Sequence, residues 1–374
     1  MKKIIFINNL GLGGAERVVS RLFVNDDVRN STILWTLFPD SFYDVGRTAR
    51  VNLQQGKFSL FYTIKNLLEL DKGTIVQAHL NLPIMYSAFA KFLGAKFEFQ
   101  AVHCFAYSSF YKRRGFKGKI HRLAFGLLLK NVHTHIFKAK EMVDDFEDVF
   151  GWQPSRYSVI YNPYDIEKIT LSAQQPLLTN EQLDNNKMNV AVVGRLNESK
   201  RVFDIINIAN ETASFAVYHF FGDGPLREEL TAKIKAKGIN NIVLHGMVSN
   251  PFKYVRQCGV YLSLSESEGF PNALVEAMIC GAIPIHSDCK TGPKEILCDD
   301  FESFNLKKGD FNIADRGLLF GVGDKSAALK AITHVYNNRI ELNELFRQPH
   351  LEYIQSVALD TILNKYSKIL KITD

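Results

Sequence analysis

The 374-residue sequence has five cysteines, Cys104, Cys258, Cys280, Cys289 and Cys298, and no Cys-x-x-Cys pair. An odd, scattered set argues against a disulfide framework and a zinc site, and reads as reduced thiols in a cytoplasmic protein. Long apolar runs are missing too, all falling far short of the roughly 18 residues a membrane span needs. The charged start Met1-Lys2-Lys3 leads into Ile4-Ile5-Phe6-Ile7 and then Asn8-Asn9, which reads as a first strand rather than a signal peptide. No Asp-x-Asp pair occurs, so a divalent cation on a diphosphate lacks its usual ligand pattern, and no metal or other cofactor is expected. Between Glu98 and Glu141 there is no acidic residue, although that stretch carries Lys112, Arg113, Arg114, Lys117, Lys119, Arg122, Lys130, Lys138 and Lys140.

What is present describes an ordinary globular α/β chain. Apolar residues make up 46% and charged residues 22%, and the net charge of +6 says little about partners by itself. The length suits two domains of roughly 150–200 residues. Short β-rich runs alternate with helical patterns throughout, which predicts helix-covered parallel sheets. Predicted strands are 3–8, 31–38, 74–79, 97–103, 132–137 and 158–161 in the first half, then 188–193, 215–221, 241–245, 260–264 and 283–286. The turn signal Tyr161-Asn162-Pro163-Tyr164-Asp165 and the polar segment Ser172–Lys187 mark a boundary between two Rossmann-like domains, 1–165 and 166–350. From Lys325 onward the pattern is helical, and a last helix from about residue 351 is expected to cross back onto the first domain.

Four segments carry candidate chemistry. Gly11-Leu12-Gly13-Gly14-Ala15-Glu16 follows a strand and opens a helix, the shape of a phosphate loop, though its spacing departs from G-x-G-x-x-G and a plain strand–helix turn reads equally well. Gly194-Arg195-Leu196, with Lys200 and Arg201 close behind, puts cations at the carboxyl end of a strand, where open α/β sheets bind ligands. Phe221-Gly222-Asp223-Gly224-Pro225 follows another strand, with Pro225 suited to the first position of a helix. The most informative run is Ser265-Glu266-Ser267-Glu268-Gly269-Phe270-Pro271-Asn272-Ala273-Leu274-Val275-Glu276. Pro271 marks a helix start, whose free N–H groups attract diphosphate oxygens. Glu268 stands in the loop before it, and Glu276, a little over one turn in, is placed to accept bonds from vicinal ribose hydroxyls.

These motifs, in this order, resemble the family 4 retaining glycosyltransferases of the GT-B fold, of the kind that build bacterial cell-surface polysaccharide and lipopolysaccharide. The resemblance covers nearly the whole chain. It implies two Rossmann-like domains facing across a cleft and transfer of a sugar from a nucleotide-sugar donor, with UDP the default base. It assigns Arg195, Lys200, Gly269, Phe270, Pro271, Asn272, Gly13 and Gly14 to the donor diphosphate, and Glu276, Gly222, Gly224 and Pro225 to ribose and base. Glu268 then contacts the donor sugar and His103 lines its pocket. Two departures stand out: Arg201 where the family has glycine after the lysine, and Thr291-Gly292-Pro293-Lys294-Glu295 in place of Gly-Gly-x-Pro-Glu.

The basic stretch interleaves its charges with Phe110, Tyr111, Phe116, Ile120 and Leu123, which suits anionic lipid better than nucleic acid. A buried helix over Leu123–Leu129 is the competing reading. The resulting expectation is a peripheral enzyme on the inner face of the cell membrane, using Lys112, Arg113, Arg114, Lys117, Lys119 and Arg122 for attachment, with a lipid-linked glycan or lipopolysaccharide as acceptor. A UDP-sugar epimerase of the same fold, or a non-catalytic nucleotide- or lipid-binding scaffold, are the alternatives.

Overall fold

Among the described residues each half of the chain builds one seven-stranded sheet. The computed structural model describes residues 2–11, 13–39, 41–53, 59–112, 114–178 and 183–372. The first sheet contains β1 (Lys3–Ile7), β2 (Thr32–Thr36), β3 (Arg50–Asn52), β4 (Ile75–His79), β5 (Glu98–His103), β6 (Thr134–Phe137) and β7 (Tyr157–Val159). Its order is β3-β2-β1-β4-β5-β6-β7, and the pairs are parallel. The second contains β8 (Met188–Val193), β9 (Ala216–Phe221), β10 (Ile242–Gly246), β11 (Val260–Ser263), β12 (Ile283–Ser287), β13 (Phe311–Ala314) and β14 (Gly317–Phe320). Here the order is β10-β9-β8-β11-β12-β14-β13, parallel except for the edge pair β13–β14. Both sheets are the α/β Rossmann type expected from the alternating pattern, and both reverse direction of growth at one point, β1/β4 and β8/β11. Such a switch point opens a crevice at the carboxyl ends of the strands.

The chain divides into two compact units, Met1–Tyr164 with Val357–Asp374, and Asp165–Ser356. Helical residues run from Lys325 to Ser356, interrupted at Asn338 (φ −123°, ψ 22°). Val357 then leads into the helix Leu359–Ile369, which belongs to the first unit, as the returning last helix was expected to. Paired bonds Tyr164 N to Val357 O (3.0 Å) and Leu359 N to Tyr164 O (2.8 Å) fasten the return. Its Ile362, Leu363, Tyr366 and Leu370 join the apolar core of Ile5, Ile7, Val102 and Ile136. A polar seam runs beneath the same helix, with Gln77 Nε2 donating to Gln100 Oε1 (3.0 Å) and Gln100 Nε2 to the Ile369 carbonyl (3.0 Å).

Candidate functional site

The loops after β8, β9 and β11 are packed backbone to backbone. Gly194 adopts φ 149° and its N–H bonds the Phe221 carbonyl at 3.0 Å. A Cβ on Gly222 would fall 2.0 Å from the Gly194 oxygen, and one on Gly224 would fall 2.3 Å from the Leu196 oxygen. These two glycines are therefore accounted for by protein backbone, whatever else the loop holds. Pro225 is not the first residue of a helix, because the helix is Arg227–Ala236 and Leu226 N–H bonds the Leu196 carbonyl instead (3.1 Å). Arg195 is exposed beside this loop pair.

Lys200 closes a short 3-10 turn, Glu198–Lys200, capped by the side chain of Asn197. Arg201 follows in the left-handed conformation (φ 49°), which explains why glycine suits this position. Its guanidinium pairs with Asp204 at 2.6 Å, and Asp204 also holds Lys325 at 2.7 Å. Glu266 N–H bonds the Ser199 carbonyl at 2.7 Å and joins this turn to the loop after β11. Across that junction the Lys200 ammonium donates to Glu268 Oε1, which also accepts from Ser265 Oγ at 2.7 Å. Burial pushes the Glu268 pKa up, but the Lys200 charge, His286 and the bonds from Lys200 and Ser265 outweigh it and hold the carboxyl below its usual range.

The departure at Thr291 is built into the same loop. Glu268 N–H bonds the Lys290 carbonyl (2.9 Å), Thr291 N–H bonds the Glu268 carbonyl (3.1 Å), and Thr291 Oγ1 donates to the Gly269 carbonyl (2.7 Å). Gly292, at φ 101°, admits the Pro271 ring, 3.0 Å from where its Cβ would be. Glu268 and Gly269 are thereby held ahead of the helix Asn272–Ile279. Pro271 caps that helix without a side-chain bond, so its first-turn N–H groups keep the electropositive character of a helix start. Glu276 lies within this helix and is buried, as is Phe270. Arg195, Lys200, Glu268, Gly269, Phe270, Pro271, Asn272 and Glu276 all belong to the second unit, in which Lys200 and Glu268 are in direct contact.

Gly13 and Gly14 belong to the other unit, where Gly13 caps the helix Gly14–Leu22 at the carboxyl end of β1. The Glu16 carboxylate folds over Gly13, and burial raises its pKa. His103 is the last residue of β5 and is buried in the first unit. It is 1% exposed, with Nδ1 2.7 Å from the Tyr107 hydroxyl and Nε2 3.0 Å from His135. Both nitrogens are committed to protein, which is the behaviour of a core histidine. Sequence reading missed Ser263, Ser265 and His286, which gather around Glu268; the hydroxyl alternation Tyr261-x-Ser263-x-Ser265 was the available signal.

Lys112, Arg114, Lys117, Lys119 and Arg122 are exposed on the helices Tyr107–Lys112 and Gly115–Leu129 and the residue between; Arg113 lies outside the described residues. Leu123 and Leu127 are exposed rather than buried, while Phe125 and Leu129 pack inward. Among the described residues no helix is long and apolar enough to cross a membrane.

Residues 176–348 match the family model described as glycosyl transferases group 1. The chain is 26% identical over 314 residues to the N-acetylgalactosamine-N,N'-diacetylbacillosaminyl-diphospho-undecaprenol 4-alpha-N-acetylgalactosaminyltransferase of Campylobacter jejuni, covering 80% of this chain and 84% of that protein. It is 32% identical over 148 residues to the lipopolysaccharide 1,6-galactosyltransferase of Salmonella typhimurium, covering 37% of this chain and 39% of that one. The structure of Anabaena HepE in complex with UDP-glucose superposes with a TM-score of 0.77 at 16% identity, over the full length of both chains, and shows the same fold. The group 1 match falls on the second unit, and the chain is a hexosyltransferase similar to these bacterial glycosyltransferases.

Proposed function

We propose that this enzyme moves a hexose or N-acetylhexosamine from a UDP-sugar to a hydroxyl of a lipid-linked glycan or lipopolysaccharide, with retention at the anomeric carbon and without a metal ion. One observation carries this reading: Lys200, paired with Glu268, stands in the loops that lead into the start of the helix Asn272–Ile279. Cleavage of the bond between the anomeric carbon and the phosphate oxygen leaves both electrons on the diphosphate. Arg195, Lys200 and the helix N–H groups are fixed positive partners for that charge, oriented before the reaction begins. Glu276 takes the ribose hydroxyls and Glu268 the sugar. The acceptor oxygen attacks from the face the phosphate leaves, and its proton passes to the departing phosphate oxygen. A covalent sugar on Glu268, trapped with a fluorinated donor, would overturn this route.

The Campylobacter and Salmonella relatives support a lipid-borne or lipopolysaccharide acceptor, and the UDP-glucose complex of HepE supports the base. The basic helices support attachment to the inner face of the membrane. Phe116, Ile120, Leu123 and Leu127 are exposed along one stripe, flanked by Lys117, Lys119 and Arg122. Each basic residue near an anionic surface contributes about 1 kcal/mol. Vesicle flotation is expected to require anionic lipid, and equal flotation with neutral vesicles contradicts attachment of this kind. The donor reading is tested by thermal shift over a panel of nucleotide sugars, where a ligand at 100 times its Kd adds about 2.7 kcal/mol. Product formed without any acceptor would instead favour epimerisation.

A further inference from the structure

Strand β11 and the two residues after it alternate two kinds of side chain. Val260, Leu262 and Leu264 enter the apolar core of the second unit, as period-two geometry requires of one face. Tyr261, Ser263 and Ser265 occupy the alternate positions and are buried as well. Hydroxyls on a buried strand face are costly unless each has a partner. Both serines have one. Ser263 Oγ lies 2.9 Å from Ser265 Oγ, and Ser265 Oγ lies 2.7 Å from Glu268 Oε1.

The carboxylate sets the direction of this line. An ionised Glu268 only accepts, so the Ser265 proton points to Oε1. Ser265 then accepts from Ser263. Both serine hydroxyls donate in one sense, and the last bond, to a charged acceptor, is roughly twice as strong as a neutral one. The neighbouring strand contributes His286, which also favours the ionised carboxylate. His286, the register partner of Ser263 on β12, bonds the Ser287 carbonyl through Nδ1 at 2.7 Å, and burial depresses its pKa to about 4. Its Nε2 has no hydrogen-bond partner among the described residues. Cys289 also acts on this carboxylate, and burial keeps its thiol neutral. Lys200 is the cation paired directly with Glu268, and both of its donors, Lys200 and Ser265, meet the same oxygen, Oε1.

We infer that Ser263 is a positioning residue for Glu268: its one-way hydrogen-bond line fixes Oε1 through Ser265 and leaves Oε2 as the edge presented to the donor sugar. This rests on the proposed role of Glu268, but the line itself is measurable without substrate. Carboxyl 13C titration of glutamate-labelled protein reads the Glu268 midpoint, with the signal assigned by its loss in Glu268→Gln. In Ser263→Ala the midpoint rises by about one pH unit, a roughly tenfold change in ionisation constant, and in Ser263→Thr it stays at the wild-type position. An unchanged midpoint in Ser263→Ala, or a rise that Ser263→Thr shares, overturns the inference. Where Ser263→Ala does not fold, Ser265→Ala replaces it, with a rise of about tenfold expected and no rise contradicting the line. Sugar transfer tests the underlying role separately: normal turnover by Glu268→Gln removes Glu268 from the donor site, whatever the titration shows.

Discussion

His103 and His286 stand near the carboxyl ends of matching strands, β5 and β12, each one place beyond the switch point of its sheet. His103 has both ring nitrogens bonded to protein and stacks on Phe137 at 4.6 Å. His286 has one nitrogen bonded and the other bare, beside an ion pair. The two lysines differ in the same way. Lys138, one residue past β6, is 2% exposed and donates to the Tyr366 hydroxyl, whereas Lys200 is partly exposed and meets a carboxylate. Topology makes both sheet edges eligible for ligands. In the first unit these positions are closed by the protein's own aromatic and hydroxyl groups, and in the second they hold charge.

Replacing Lys200 by Met is expected to have the largest effect. It removes the counter-charge of Glu268 and the partner proposed for the leaving group, and is expected to lower kcat by about 10²–10³; a kcat within tenfold of wild type breaks the contrast between the units. Lys138→Met is expected to act on stability alone, and its sign depends on pH. Burial depresses the Lys138 pKa from 10.5 to about 8, so the fold bears the full cost of the ammonium below pH 8 and is relieved of it as pH climbs toward 10.5. That gap corresponds to about 3 kcal/mol. Urea unfolding at pH 7 and pH 10 should show the wild type gaining on Lys138→Met at the higher pH, and a constant difference would mean that Lys138 is not buried as an ammonium.

His103→Leu sharpens the same comparison. It strands the Tyr107 hydroxyl and His135, at a cost of about 2 kcal/mol in stability, yet leaves kcat per folded molecule within about threefold. A collapse of kcat without a change in melting temperature would return His103 to the sugar site. Smallest of all is Arg201→Gly, which loses the Asp204 pair but relieves a left-handed backbone, for a net change of about 1 kcal/mol or less in denaturation and none in turnover.

Most of the sheet was legible because buried parallel strands read as short apolar runs, and Met188–Val193 and Val260–Ser263 lie within or on their expected spans. Arg50–Asn52 escaped notice because all three residues are exposed at the sheet edge, and the Phe311–Ala314/Gly317–Phe320 hairpin because its first strand alternates weakly. Glycine spacing located the loops after β8 and β9, yet Gly222 and Gly224 proved to face neighbouring carbonyls, a contact no local pattern reveals. For His103 the sequence displayed a histidine at the end of a strand; whether its ring is free depends on Tyr107 and His135, which only the tertiary structure brings to it.

The central claim is that fixed cations in the second unit receive the donor diphosphate without a metal ion. Calorimetric titration of UDP in EDTA tests it most directly, comparing wild type with the double variant Arg195→Met, Lys200→Met. The account predicts wild-type binding indifferent to EDTA and at least about a hundredfold weaker in the double variant, equivalent to about 2.7 kcal/mol. Binding that disappears in EDTA, or that survives loss of both cations, would contradict it.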